Sequence, residues 1–142
     1  PSHDFICGAV KKDNKIYAGF RPNDIKKQFN IIPSSIVGFY IKLESLKKVG
    51  LLKIKYKYSS DYDFLYRVIV KNKMCGVNTK AHEIFGDLGS SGISSKSNFL
   101  IKIINEIKIR FNNGQNIFEL MYIFFGRSIM KIFKDVFEKK NL

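Results

Sequence analysis

The chain has 142 residues, of which 45% are hydrophobic and 14% aromatic, and this is enough for one folded domain with its own core. Glu119 interrupts the most apolar stretch, so no run reaches the roughly 20 residues that a membrane-spanning helix needs. The net charge is +13, yet arginine is sparse and the lysines are spread along the whole chain, which argues against a nucleic-acid-binding surface. We therefore expect an electropositive surface for other anionic partners, such as lipid phosphates or the cytoplasmic membrane leaflet.

The N-terminal part carries β-strand patterns. Residues 4–10 and 15–20 are rich in β-forming residues, and a turn-like spacer at 11–14 between them predicts a hairpin. The chain breaks at Arg21-Pro22, and one helical turn is expected at 24–29. A strand at 36–41 and a short helix at 43–49, ending at Gly50, should follow.

The central stretch combines a helix start with an apolar stripe. Ser60, three residues before Asp63, resembles a capping box and predicts a helix that starts at Asp61. Apolar residues recur from Phe64 at helical spacing, and Asp61 lies at the N-terminal end of that stripe, where a carboxylate would open onto a cleft. Asp63 and Arg67 stand four apart in the order that favours an ion pair. Alternatively, both acids merely complement the positive end of the helix dipole.

The C-terminal part is expected to contain two strands, a loop and two helices. Strands are predicted at 73–77 and 81–88, and a flexible glycine-serine loop at 86–95. Helices are predicted at 100–111 and 116–138, with an ion pair between Glu106 and Arg110. The last helix is basic and amphipathic, so it could lie on a membrane surface or pack on a missing part of the protein, although burial against the preceding helix explains most of its apolar stripe.

The cysteines carry no metal-binding signature. Cys7 and Cys75 lack the spacing of metal ligands, and no secretory segment precedes them. We expect reduced, buried thiols in a cytoplasmic protein.

Two motifs together resemble a known family. The run SDYDFLYR at residues 60–67, followed by GISS at residues 92–95, resembles the C-terminal half of family 2 glycosyltransferases of the GT-A type. In that family a comparable run opens a helix and a comparable loop follows a strand. The resemblance extends from about Asp4 to the last helices. The family's usual His before the aromatic strand is absent, and Pro33, Ser34 and Ser35 stand there instead.

The resemblance implies an α/β fold, namely the acceptor-side part of a GT-A-like fold with short mixed strands, a central helix and two C-terminal helices. Residues 1–95 would form the acceptor and catalytic-base half, and residues 96–142 a helical extension. It also implies transfer from a nucleotide-diphosphate sugar to a saccharide or lipid-linked acceptor in polysaccharide biosynthesis of the cell envelope. The location would be cytoplasmic, at the inner face of the membrane, and the incomplete sheet would favour self-association.

The resemblance also assigns site residues. Asp61 occupies the family's catalytic-base position, and Asp63 and Arg67 would shape the site around it. Contacts to acceptor or donor would come from two small-residue segments, represented by Ser34, Ser35, Gly92 and Ser94. For the first segment turn capping is an alternative, and for the second a linker into the next helix.

A divalent metal, Mg²⁺ or Mn²⁺, is expected in the complete enzyme, with ligands mostly upstream of this chain. Asp61-Tyr62-Asp63 matches the family's Asp-x-Asp metal motif formally, but it opens a helix, where residues two apart point to different sides. We therefore do not assign it to the metal. His82 is an outside candidate for a metal contact, although a lone strand histidine is more often structural.

Two other classes of function remain open at this point. The chain could be a non-catalytic module that binds carbohydrate or nucleotide-sugar. It could also be a basic nucleic-acid-binding domain, which predicts strongly salt-dependent binding to DNA or RNA.

Overall fold

The computed structural model describes residues 3–19, 31, 36–56, 58–89 and 98–140, with the side chains of Phe99 and of 131–140 left aside. The fold is α/β, as predicted. The strands are β1 (Phe5–Cys7), β2 (Ala9–Lys12), β3 (Lys15–Tyr17), β4 (Phe39–Ile41), β5 (Gly76–Asn78) and β6 (Ile84–Asp87). The helices are α1 (Leu43–Val49), α2 (Ser60–Leu65), α3 (Phe99–Asn112) and α4 (Ile117–Lys140), with short 3₁₀ turns at Ile36–Gly38 and Ile54–Tyr56.

The strands form two small mixed sheets. In the first, β1 lies between antiparallel β4 and parallel β5. In the second, β2 lies between antiparallel β3 and parallel β6. The predicted strand at 4–10 is therefore divided at Gly8, whose amide donates to the Gly38 carbonyl at 2.7 Å. A Cβ at Gly8 would lie 2.2 Å from the Phe85 ring, so a larger residue would displace that side chain.

The predicted hairpin is confirmed. β2 and β3 pair in antiparallel register across Asp13 and Asn14, whose φ angles are +47° and +61°. Two consecutive positive φ angles define the type I′ turn that matches strand twist, and Asp and Asn tolerate them better than most residues do.

The helix α1 also matches its prediction. It ends before Gly50, which has φ +80° and donates its amide to the Leu46 carbonyl at 2.8 Å. The predicted strand at 36–41 is only half right, because Ile36–Gly38 coils into a 3₁₀ turn and β4 starts at Phe39.

The central helix consists of α2 and a π-helical continuation, Tyr66–Lys71. Every residue from 63 to 70 is buried, so this helix is enclosed on all sides. One side packs on the core-facing side of the first sheet, through Phe5 and Cys7 of β1. The π-helical end is closed by Asn72, whose backbone amide and side-chain amide both donate to the Arg67 carbonyl, at 2.9 and 2.7 Å.

Two predictions around β5 and β6 are wrong. His82 does not lie in a strand but in an exposed turn before β6, because the pairing of β6 with β2 begins only at Ile84. Cys75 is exposed, because it precedes β5 at the end of the sheet. Cys7 is buried as expected, and burial raises the pKa of its thiol to about 12.

The two C-terminal helices are confirmed. Asn98 caps α3 by accepting a hydrogen bond from the Leu100 amide at 3.0 Å, and Gly114, with φ +87°, follows its end. The predicted Glu106–Arg110 pair is wrong, since Glu106 pairs with Arg127 of α4. Among the helices of the described ranges, none is both long and apolar enough to cross a bilayer.

Candidate functional site

The candidate site is the first turn of α2. The helix begins at Ser60, one residue before the predicted start, with Ser59 as N-cap and without a side-chain capping hydrogen bond. The predicted capping box of Ser60 and Asp63 is therefore wrong, because Ser60 lies inside the helix and the Asp63 carboxylate binds Arg67. Instead, Oδ1 of the half-buried Asp61 accepts a hydrogen bond from the Tyr62 amide at 2.8 Å. No described residue hydrogen-bonds to its Oδ2. One oxygen of Asp61 is therefore held by the helix start, and the other is free among the described groups.

Asp63 faces the opposite way and is fully enclosed. Its Oδ2 accepts from Nε of Arg67 at 2.8 Å, which confirms the predicted pair, and the Asp63 side chain is 0% exposed. Its Oδ1 accepts from the Asn113 amide nitrogen at 3.3 Å and lies 3.7 Å from Nζ of Lys53. The pair is thus buried, not exposed on a helix surface, and both oxygens of Asp63 are occupied.

Arg67 joins the central helix to the end of α1. Its NH1 donates to the Val49 and Gly50 carbonyls at 2.6 and 3.3 Å, and its NH2 donates to the Leu51 carbonyl at 2.8 Å. The planar guanidinium suits this task because its donors lie in a fixed fork. Asp63 and Arg67 therefore act inside the protein by fixing the turn that carries Asp61, and any contact with a ligand stays a prediction.

A second buried network attaches α3 to the other side of the central helix. Nε of Arg110 donates to the Tyr62 hydroxyl at 2.5 Å, and NH1 of Arg110 donates to Oε1 of Gln115 at 2.9 Å. The Tyr66 hydroxyl donates to the same Gln115 oxygen at 3.0 Å. Burial raises the pKa of both tyrosine hydroxyls, while the neighbouring Arg110 opposes that rise. Two networks thus hold the helix just after Asp61, one through Asp63 and Arg67 and the other through Tyr62 and Tyr66.

The structural role of Arg110 in the core was not predicted, although its spacing from the apolar residues of α3 indicated that it lies on their buried face. It stands seven residues after Ile103, on the same helical face, and both are buried. A cation on an apolar stripe indicates a partner on the helix that covers it. Sequence spacing does not say which side chain that partner is.

The other predicted site residues lie away from Asp61 or outside the residues that the structure describes. Ser34, Ser35, Gly92 and Ser94 fall outside the described residues. His82 is exposed in its turn. Within the described ranges, no three His, Cys, Asp or Glu side chains come together in a way that could hold a metal ion.

Among the described residues, two hollows lie away from Asp61. One, of about 330 Å³, lies at the end of the first sheet and includes His3, Asp4 and Lys42. The other, of about 620 Å³, is an apolar groove between α3 and α4. Asp61 lines neither of them.

Comparisons with protein-family models, with curated proteins and with solved structures returned no match to this chain.

Proposed function

We propose that this chain is the acceptor and catalytic-base half of a glycosyltransferase that uses a nucleotide-diphosphate sugar, with Asp61 as the base. The proposal rests on one observation: two carboxylates in the same helical turn differ in burial and in hydrogen bonding. Asp63 is buried with both oxygens bound, whereas Asp61 is half-buried and keeps Oδ2 free of described partners. A base needs a carboxylate that is held in place yet able to accept a proton.

The chemistry would proceed as an inverting transfer. The acceptor hydroxyl oxygen would attack the anomeric carbon of the donor sugar while its proton passes to the Asp61 carboxylate. The bond between the anomeric carbon and the diphosphate oxygen would break, and the nucleoside diphosphate would leave with that electron pair. The hydrogen bonds that join this helix to the ends of α1 and α3 support this role, because a base acts only from a defined position.

Mg²⁺ or Mn²⁺, expected for the complete enzyme, would neutralise the leaving diphosphate. The described residues do not supply a ligand set for such an ion. We therefore assign no residue of this chain to the metal. His82 as a metal ligand stays a prediction from the sequence.

One exposed face of the first sheet supports the proposal that another structural layer packs against that face. Ile6 pairs in register with Tyr40 on one side and Val77 on the other, and all three are exposed. Phe5 and Cys7 on the opposite face are buried. In α/β folds both faces of such a sheet are usually covered, and a nucleotide-binding half would supply the cover.

The test is a transfer assay with nucleotide-sugars and saccharide acceptors on the complete protein. We expect Asp61→Asn to lower the transfer rate about 10²–10⁴-fold, which is the usual contribution of a general base. Asp87→Asn, which changes an exposed acid at the end of β6, is the matched control and should leave the rate unchanged. For the 142-residue chain alone we expect neither donor hydrolysis nor transfer.

An Asp61→Asn protein that transfers sugar at the wild-type rate would disprove the assignment. If no transfer is found but a saccharide binds equally well to the wild type and to Asp61→Asn, the chain is a carbohydrate-binding module instead.

The proposed peripheral location at the cytoplasmic face of the membrane is consistent with a lipid-linked acceptor.

A further inference from the structure

The outward side of the helical hairpin formed by α3 and α4 is an extended apolar surface. On α4, Phe118 is 76% exposed and Tyr122 is 65% exposed, which is unusual for aromatic side chains. The groove between the two helices is lined almost entirely by apolar residues, with Lys108 at its edge. We call this surface the hairpin face; on the described residues it consists of Leu100, Ile104, Phe111, Ile117, Phe118, Met121, Tyr122, Phe125 and Ile129.

The helix α4 is apolar on its outer side as well as on the side that packs against the protein. Phe118, Tyr122, Phe125 and Ile129 follow one another at steps of four, three and four, so they form one stripe, and that stripe is exposed. The opposite side of the helix carries the buried Leu120 and Ile123, and also Arg127, which pairs with Glu106 of α3.

A helix that is apolar on its outer side as well as its inner side is stabilised by an apolar environment on the outer side. Surfaces of monomeric proteins rarely expose so many contiguous apolar side chains without a partner.

Charge indicates which apolar environment this is. The chain carries a net charge of +13, so a second copy brought to the hairpin face would be repelled. On α3, Lys108 is exposed and lines the groove beside the apolar residues, whereas the acids of the described hairpin, Glu106 and Glu119, are both half-buried. Cations beside an exposed apolar stripe are the combination that anionic lipid surfaces attract.

We propose that the hairpin face binds the surface of an anionic lipid bilayer, with α4 lying in the plane of the interface. The helix has 24 residues and is about 36 Å long, and its apolar stripe would enter the boundary between headgroups and acyl chains. The groove between α3 and α4 would receive acyl chains, and Lys108 would contact lipid phosphates. This inference is independent of the catalytic role of Asp61 and survives if that role is disproved.

The experiment is vesicle co-sedimentation with the full chain. Wild-type protein should bind vesicles of phosphatidylcholine mixed with phosphatidylglycerol, and it should bind vesicles of phosphatidylcholine alone at least about tenfold more weakly. Raising the ionic strength from about 0.1 M to about 1 M should reduce the binding, because the screening length falls from about 10 Å to about 3 Å.

Matched variants locate the surface. Phe118→Ser combined with Phe125→Ser should weaken vesicle binding at least about tenfold, because two aromatic side chains no longer enter the bilayer. The control is Leu52→Ser combined with Ile54→Ser, which removes two exposed apolar side chains from the segment before α2 and should bind as the wild type does. Circular dichroism should show the same melting temperature for both pairs, since all four side chains are exposed.

A further substitution tests the charge without changing the apolar stripe. Lys108→Glu should also lower affinity for the anionic vesicles at least about tenfold, because a cation that would contact lipid phosphates becomes an anion. The proposal is overturned if the wild-type protein does not bind anionic vesicles or binds neutral vesicles equally well. It is also overturned if the Leu52 and Ile54 control pair weakens binding as much as the Phe118 and Phe125 pair does. Self-association in solution, without vesicle binding and lost in the Phe118 and Phe125 pair, would assign the face to a second copy instead.

Discussion

Arg67→Met should be among the most destabilising single substitutions in this protein. The change removes the cation from Asp63, whose side chain is 0% exposed, and removes the donors from the carbonyls of Val49, Gly50 and Leu51. Lys53, 3.7 Å away and itself 41% exposed, compensates only weakly. Breaking a buried ion pair by removing one partner costs about 3–5 kcal/mol in the free energy of unfolding. Domains of this size have only about 5–15 kcal/mol in total.

Thermal unfolding followed by circular dichroism measures the effect. At about 2–4 °C per kcal/mol, the Tm should fall by about 6–20 °C. Lys71→Met is the matched control, because Lys71 is exposed at the end of the same helix, and it should change the free energy of unfolding by less than about 0.5 kcal/mol. A Tm for Arg67→Met within about 2 °C of the wild type would refute the structural role that we assign to the pair.

The double variant Asp63→Leu with Arg67→Met separates the charge from the packing. Replacing both members of a buried pair by apolar residues is often close to neutral, so the double variant should be more stable than Arg67→Met alone. Its remaining loss would come from the three carbonyls that Arg67 no longer reaches. Strict additivity of the two single changes would contradict the interpretation.

The cysteines and Asp4 provide two further tests. A thiol reagent at neutral pH should modify Cys75 in the folded protein, whereas Cys7, buried and with its pKa raised to about 12, should react only after unfolding. Mass spectrometry would count the adducts, and a doubly modified folded protein would contradict this. The hydrogen bonds from Ser45 and the Cys75 amide hold the pKa of Asp4 below its ordinary value of 3.8. The ionised carboxylate therefore stabilises the fold above that value, and this stability is lost as the pH falls through the lower, folded pKa. Unfolding measured against pH should consequently be less acid-sensitive in Asp4→Asn, and an unchanged profile would contradict it.

Local patterns in the sequence predict the elements whose stability is local. The periodic apolar residues of α3 and α4, the turn residues Asp13 and Asn14, and the helix-ending Gly50 each act over a few neighbours along the chain. For that reason the two long helices, the hairpin and α1 could be predicted, and so could the Asp63–Arg67 pair, whose members lie one helical turn apart.

Tertiary contacts decided what those elements do. Whether the Asp63–Arg67 pair is exposed or buried depends on Lys53, Asn113 and the end of α1, which are remote along the chain. The division of the first strand at Gly8 depends on Gly38 and Phe85, and the partner of Glu106 lies on another helix.

The candidate site follows the same rule. The sequence alone determined that two acids open the central helix. Only the folded structure distinguishes them, because it buries Asp63 and leaves Asp61 half-buried. Burial and hydrogen bonding depend on which distant segments meet, and residue spacing along one helix does not contain that information.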